Sequence, residues 1–205
     1  VSQIKSAHLA GSLPWEPNNY IPGQIMKGMF NKTEPSRRRI AVTPAMMTSM
    51  FLHLYSLKDT WNLHDLRMLW ALLSALWAGS FRSSELLSPS ESGFLQEETF
   101  CWKRLRERGG LVKGKWTNWF EIKLIRPKEF REGRANGINV ELFEVPQSRW
   151  CPVTAMRAYM KDNILGEDEN SPVFRWRSGY CVTNKAVNSL IREACGDLSG
   201  YRGDC

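Results

Sequence analysis

The sequence predicts an α+β fold, mainly α, with one small antiparallel sheet inserted among the helices. Three observations predict it. Apolar residues recur at helical spacing in four stretches between Thr43 and Cys195. Two other stretches, "WFEIKLI" and "INVELFEV", alternate as strands do. The segment between those two, "RPKEFREGRANG", is polar and carries Pro and two glycines, which makes the pair a hairpin with a long basic tip.

Residues 1 to about 35 are rich in Gly, Pro and Asn, and "IPGQIMKGMF" suits a short helix from Gln24 to Phe30. "NKTEPSRRR" follows as an exposed linker. The first clear helix opens at Thr43, an N-cap residue, with Pro44 suited to the first helical position. Met47, Met50, Phe51, Leu54 and Leu57 mark its apolar face. A second helix runs from about Leu63 to Ala78 and is apolar on nearly every side, so it is central. Gly79 is expected to end it in a left-handed conformation. "SSELL" suits a short helical turn, and "FCWKRL" is a candidate strand. Beyond the hairpin, Pro152 opens a helix at "PVTAMRAYM". Thr183 caps the last one, with Val187, Leu190, Ile191 and Ala194 on its apolar face.

The net charge of +7 is unevenly placed. Between Phe100 and Arg134 eleven Lys and Arg stand against four Asp and Glu, and the rest of the chain is balanced. Such a patch suits a polyanion, most often nucleic acid, or else a solvated face. The most apolar run, Met68 to Ala78, is too short to span a bilayer, and no membrane role is expected. The five cysteines are scattered with no C-x-x-C pair, and every histidine lies before residue 65. Neither a zinc site nor a disulfide framework is expected, and a reducing, intracellular setting fits.

Several pieces stand in a telling order. The central helix ends in "GSFRSSEL", a hairpin carries a lysine at its turn, and then come "RWCPVTAMRAYM" and "PVFRWRSGYCVTNKAVNSLIREA". This order resembles the catalytic domain of the tyrosine recombinases, the phage-integrase family, and is most similar to its Crypton-like and DIRS-like mobile-element branch. The resemblance spans about residues 24–205. It implies that residues 1–39 are the end of a DNA-clamping N-terminal domain plus linker. Residues 40–205 would be a partial catalytic domain with that family's helical bundle and small sheet.

The resemblance implies a chemistry. A tyrosine hydroxyl attacks a DNA phosphodiester, a 3′-phosphotyrosyl bond forms, and the freed 5′-oxygen leaves; reversal at a new partner rejoins the strands. Bond energy is conserved, so no cofactor is required. Side chains must neutralise the phosphate oxygens, which the planar fork of arginine does well. Arg82 falls on the family's first arginine, and Glu85 on the acidic residue that orients it. Lys128, just after Pro127, falls on the lysine that protonates the leaving oxygen. Lys123, inside a strand, is its rival. Lys113, Lys115, Arg126, Arg131 and Arg134 are candidate phosphate contacts, and Arg175, Arg177 and Lys185 lie where the family faces DNA. The Trp-rich stretches "KWTNWF" and "FRWRSG" either pack the fold or stack on bases.

The family's His-x-x-Arg box and tyrosine belong after "LSGYRGDC". Tyr201 and Arg202 do not match them, and Tyr159 and Tyr180 fall where the family packs its core. No nucleophile is assigned, and the chain is expected to be a piece incomplete at both ends. The implied partner is duplex DNA, bound by a tetramer on paired sites in the full-length form, in the nucleus if the host is eukaryotic. A non-enzymatic DNA-binding remnant and a helical protein-interaction domain are the alternatives.

Overall fold

A computed structural model of the chain describes residues 42–96, 99–124, 137–163 and 168–196. The expected helix at 24–30, the linker and the hairpin tip lie outside them. The described residues mix helices with one small antiparallel sheet.

Helix α1 (Pro44–Ser56) starts as expected: Thr43 Oγ1 accepts the Met46 N–H at 3.2 Å, and Pro44 takes the first turn. Its buried stripe is Met46, Met47, Met50 and Leu54. Helix α2 (Leu63–Gly79) begins where Asn62 Oδ1 accepts the His64 N–H at 2.9 Å. Leu66, Met68 and Leu69 are buried in it, and so is every residue from Ala71 to Ala75.

The end of α2 departs from expectation. Gly79 stays helical, and Ser80 takes the left-handed conformation at φ 50° and ψ 32°. The Phe81 N–H reaches back to the Leu76 carbonyl at 3.2 Å and that of Ser80 to Trp77 at 3.4 Å, which is the Schellman closure. The reason glycine stands one position early is steric. A Cβ at Gly79 would lie 2.2 Å from Cε2 of Phe81, so the bare α-carbon makes room for that ring. Phe81 folds back onto the core and the short helix α3 (Ser83–Leu86) follows.

A 3₁₀ turn, Trp102–Arg104, precedes strand β1 (Leu105–Val112). This corrects the expected strand at "FCWKRL". Arg104 is buried there, donating to the carbonyls of Thr99 at 2.9 Å and of Gln96, which curls the chain before it can extend. Strands β2 (Lys115–Leu124) and β3 (Ile138–Phe143) pair as the alternation predicted, with Trp119 opposite Phe143 and Leu124 opposite Ile138. The sheet order is β1-β2-β3, all antiparallel. β1 and β2 meet through a two-residue turn, Lys113 (φ 49°) and Gly114 (φ 77°); two positive φ values match the twist of a tight hairpin. Phe120, Ile122, Leu124 and Leu142 form the buried face of the sheet, and Lys123 is exposed on the other.

Helix α4 (Pro152–Met160) packs on α2 and on the sheet. Its Tyr159 is buried and donates its hydroxyl to the Val173 carbonyl at 2.7 Å. Helix α5 (Asn184–Cys195) is capped by Thr183 and rests against α1, where Ser49 Oγ donates to the Ala194 carbonyl at 2.7 Å.

Two substitutions test the end of α2. Gly79→Ala drives a methyl into the Phe81 ring and is expected to lower stability by about 1–3 kcal/mol. Ser80→Gly relieves the left-handed residue and is expected to raise stability by up to about 1 kcal/mol. Urea unfolding midpoints read both.

Candidate nucleic-acid interface

Arg82 is the N-cap of α3. Its main-chain N–H donates to Glu85 Oε2 at 2.9 Å, and its guanidinium stands 3.9 Å from Glu85 Oε1. One carboxylate therefore holds the backbone of Arg82 and lies beside its side chain. The side chain is 49% exposed, that of Glu85 14%. At that distance and exposure the ion pair adds little stability, at most about 0.5 kcal/mol. What the pairing does is position. Phe81 anchors the chain inward, and Arg82, the next residue, points out from a fixed backbone.

A cavity of about 530 Å³ lies beside α3, lined among others by Ser84, Ser88, Glu91, Thr183 and Lys185. A parallel bridge between Ser88 and Thr183 ties its two walls, so α3 and the start of α5 meet across it. Lys185 is thereby brought to the same recess as α3, although about a hundred residues separate them in the chain. A second, smaller recess of about 340 Å³ is lined in part by Arg175 and Tyr180 and shares Glu91 with the first. Arg175 is bridged to Cys181, and the Arg177 N–H donates to Asp65 Oδ1 at 2.7 Å, which fastens this turn to the first turn of α2. The Arg177 side chain is exposed.

Tyr180 is 57% exposed, against the expectation that it packs in the core. The reason is its place in the tight turn that Gly179 (φ 90°) makes, where Trp176 instead turns toward Trp61, with ring centroids 6.2 Å apart. Tyr159 does pack in the core, against Phe174 and Trp102.

Lys113 and Lys115 do not line the recess beside α3; they sit at the β1–β2 turn, exposed. Arg126, Lys128, Arg131 and Arg134 lie in the connection between β2 and β3, outside the described residues. The basic segment is also less uniform than its sequence. Arg104 is internal, and Lys103 donates to Asn170 Oδ1 at 2.8 Å. Arg106, Arg108, Lys115 and Lys123 share the outer face of the sheet, with Glu121 and Glu141 opposite each other among them. The outward positions of Arg106 and Arg108 escaped the sequence reading because β1 did; the Lys-Gly turn was the signal that could have found them. On the inner side, Arg157 holds Glu107 of β1 through its Nε at 2.7 Å and reaches Glu144 at 3.9 Å, pinning the sheet to α4.

Among the described residues, no group of three or more His, Cys, Asp or Glu could hold a metal ion, and no helix is long and apolar enough to cross a membrane. Burial pushes the thiols of Cys101 and Cys195 above their ordinary value of 9.0; Arg104 and Lys103 pull the other way at Cys101 without cancelling it. These cysteines are packing groups held as neutral thiols. The chain matches no protein-family model, no curated protein and no solved structure.

The thiols give a pH test. A neutral buried thiol stabilises the fold fully below the unfolded value near 9.0, and that contribution is lost as pH rises from there through the raised folded value. Stability is therefore expected to fall above about pH 9. Alkylation of Cys101 and Cys195 at pH 8, followed by peptide mass spectrometry, is expected to be at least about tenfold slower in the native chain than in urea.

Proposed function

We propose that this chain is the catalytic-domain portion of a tyrosine recombinase that breaks and rejoins duplex DNA in its full-length form. The observation that carries the proposal is Arg82. Its backbone is fixed between the closed end of α2 and Glu85, its guanidinium is half-exposed, and the short helix that it caps lines, through Ser84, a recess that also holds Lys185. A phosphodiester at Arg82 would meet a pre-organised, always-charged fork, which is the arrangement that stabilises charge developing on phosphate oxygens. The small antiparallel sheet supports the same reading, because the β2–β3 connection contains Lys128, the donor for the leaving 5′-oxygen. Lys123 is the weaker candidate, since it stands on the outer face of β2 opposite Asn139. Lys113, Lys115, Arg175, Arg177 and Lys185 act as phosphate contacts that place the duplex without reading its sequence.

Two measurements test the proposal. The first is trapping of a phosphotyrosyl adduct by the full-length form on nicked duplex DNA. Arg82→Ala is expected to lower adduct formation on the order of a hundredfold or more. Arg82→Lys keeps the charge, loses the fork, and is expected to fall well short of rescue. Duplex affinity should stay within about threefold in both, since one phosphate contact among several is removed. Adduct formation at the parental rate in Arg82→Ala would sink the assignment. The second is salt dependence of duplex binding by the 205-residue chain. With these five phosphate contacts, raising salt from about 50 to 200 mM is expected to weaken the complex on the order of several hundredfold. An affinity indifferent to salt would remove DNA as the partner.

A further inference from the structure

The third strand covers only part of the β1–β2 hairpin. Phe143, the last residue of β3, pairs with Trp119, and the Glu144 N–H donates to the Asn118 carbonyl at 2.9 Å. From Gly109 and Asn118 outward the hairpin continues as a two-stranded ribbon to the Lys113–Gly114 turn. At its centre Leu111 and Trp116 face each other across the strands, 73% and 64% exposed.

The two consecutive glycines explain how the tryptophans lie. A Cβ on Gly109 would stand 3.2 Å from Cζ2 of Trp116, and one on Gly110 would stand 3.3 Å from Cη2 of Trp119. Each indole lies across one bare α-carbon, on opposite faces of the ribbon. Trp119 is accounted for by the fold, since its ring packs on Phe143 with centroids 5.6 Å apart. Trp116 instead has one ring face against backbone and the other toward solvent. Along the ribbon, from Arg108 to Asn118, the chain carries three cations and no acidic residue: Lys113 in the turn, and Arg108 and Lys115 on the face opposite Trp116.

We infer that the β1–β2 ribbon is a stacking platform for an unpaired nucleic-acid strand, with a base lying on the open face of Trp116 and the flanking phosphates met by Lys113 at the turn and by Lys115 around the edge of β2 that β3 leaves uncovered. A flat aromatic surface beside a cationic turn is what single strands bind, because every base offers a π-face and every linkage a charge. An indole lying along the ribbon cannot wedge between stacked base pairs, so the ligand must bring a base already free of its stack. The same flat posture disfavours an anionic lipid surface, where an anchoring tryptophan must reach away from the backbone. The inference rests on the ribbon alone and not on the role proposed for Arg82.

The test uses the whole 205-residue chain with a fluorescein-labelled 20-nucleotide oligo-dT and a duplex of equal length, read by anisotropy. Trp116 is exposed, so its variants are expected to fold, and circular dichroism checks this. Trp116→Ala is expected to weaken oligo-dT binding about tenfold or more and duplex binding less than about twofold. Trp116→Phe should recover most of the oligo-dT affinity, whereas Lys113→Glu with Lys115→Glu should weaken both ligands. An oligo-dT affinity unmoved by Trp116→Ala, an equal loss on both ligands, or no oligo-dT binding by the parent would each overturn the inference. So would Trp116-dependent capture by phosphatidylserine vesicles without oligo-dT binding. Oligo-dT binding that needs Trp116 but not Arg82 stands whether or not Arg82 supports cleavage, so the two readings fail separately.

Discussion

Helix α2 must be enclosed, and the rest of the described structure is arranged to enclose it. Its middle turn is buried on every side, from Ala71 through Ala75. Each leucine sealed there is worth about 1.5–3 kcal/mol, so leaving one side open would cost a large share of a typical domain's stability. α1, α4 and β3 each pack against it. α5 in turn closes on α1, with the Cys195 thiol against the Met46 carbonyl at 3.6 Å. Tyr159 joins α4 to the 171–182 segment from inside, and Arg157 joins α4 to the sheet from its edge.

The rigidity of α2 passes to its end. The Schellman closure, the space at Gly79 and the inward Phe81 leave little freedom to the residue that follows. Arg82 therefore stands at the mouth of the most apolar segment for a physical reason. A charge is easiest to aim when the backbone behind it is locked by packing, and the side chain itself remains in water where it costs nothing to keep ionised. The Ser88–Thr183 bridge extends the same frame to Lys185.

The positive charge of the chain divides by function once the fold is known. Arg104 serves the interior, where it satisfies the carbonyl of buried Thr99 and also takes that of Gln96. Arg157 engages Glu107, an acid that shares β1 with Arg106 and Arg108, so the basic character of the outer sheet is not offset by that acid. The ribbon adds Lys113 and Lys115 beyond the reach of β3. A basic patch in sequence thus becomes an internal brace, a basic sheet face and a projecting tip.

Local signals in the sequence determined most of the helices and two of the strands. Thr43, Pro44, Pro152 and Thr183 mark helix starts through the geometry of one or two residues, and the alternation in "WFEIKLI" places Phe120, Ile122 and Leu124 on one face. The identity of Arg82 as a candidate was legible for the same reason, since its neighbours are adjacent in the chain. Tertiary structure alone decided the rest. "LRERGGLV" has no apolar alternation and two glycines, so β1 is a strand only because β2 offers a partner and two indoles need the glycines' empty faces. Ser80 rather than Gly79 turns left-handed because the Phe81 ring claims the space at 79, a contact that local propensity does not contain. The meeting of α3 with Lys185 depends on a bridge between residues 88 and 183, and pairing across that separation is written in how the core closes and not in any short stretch of residues.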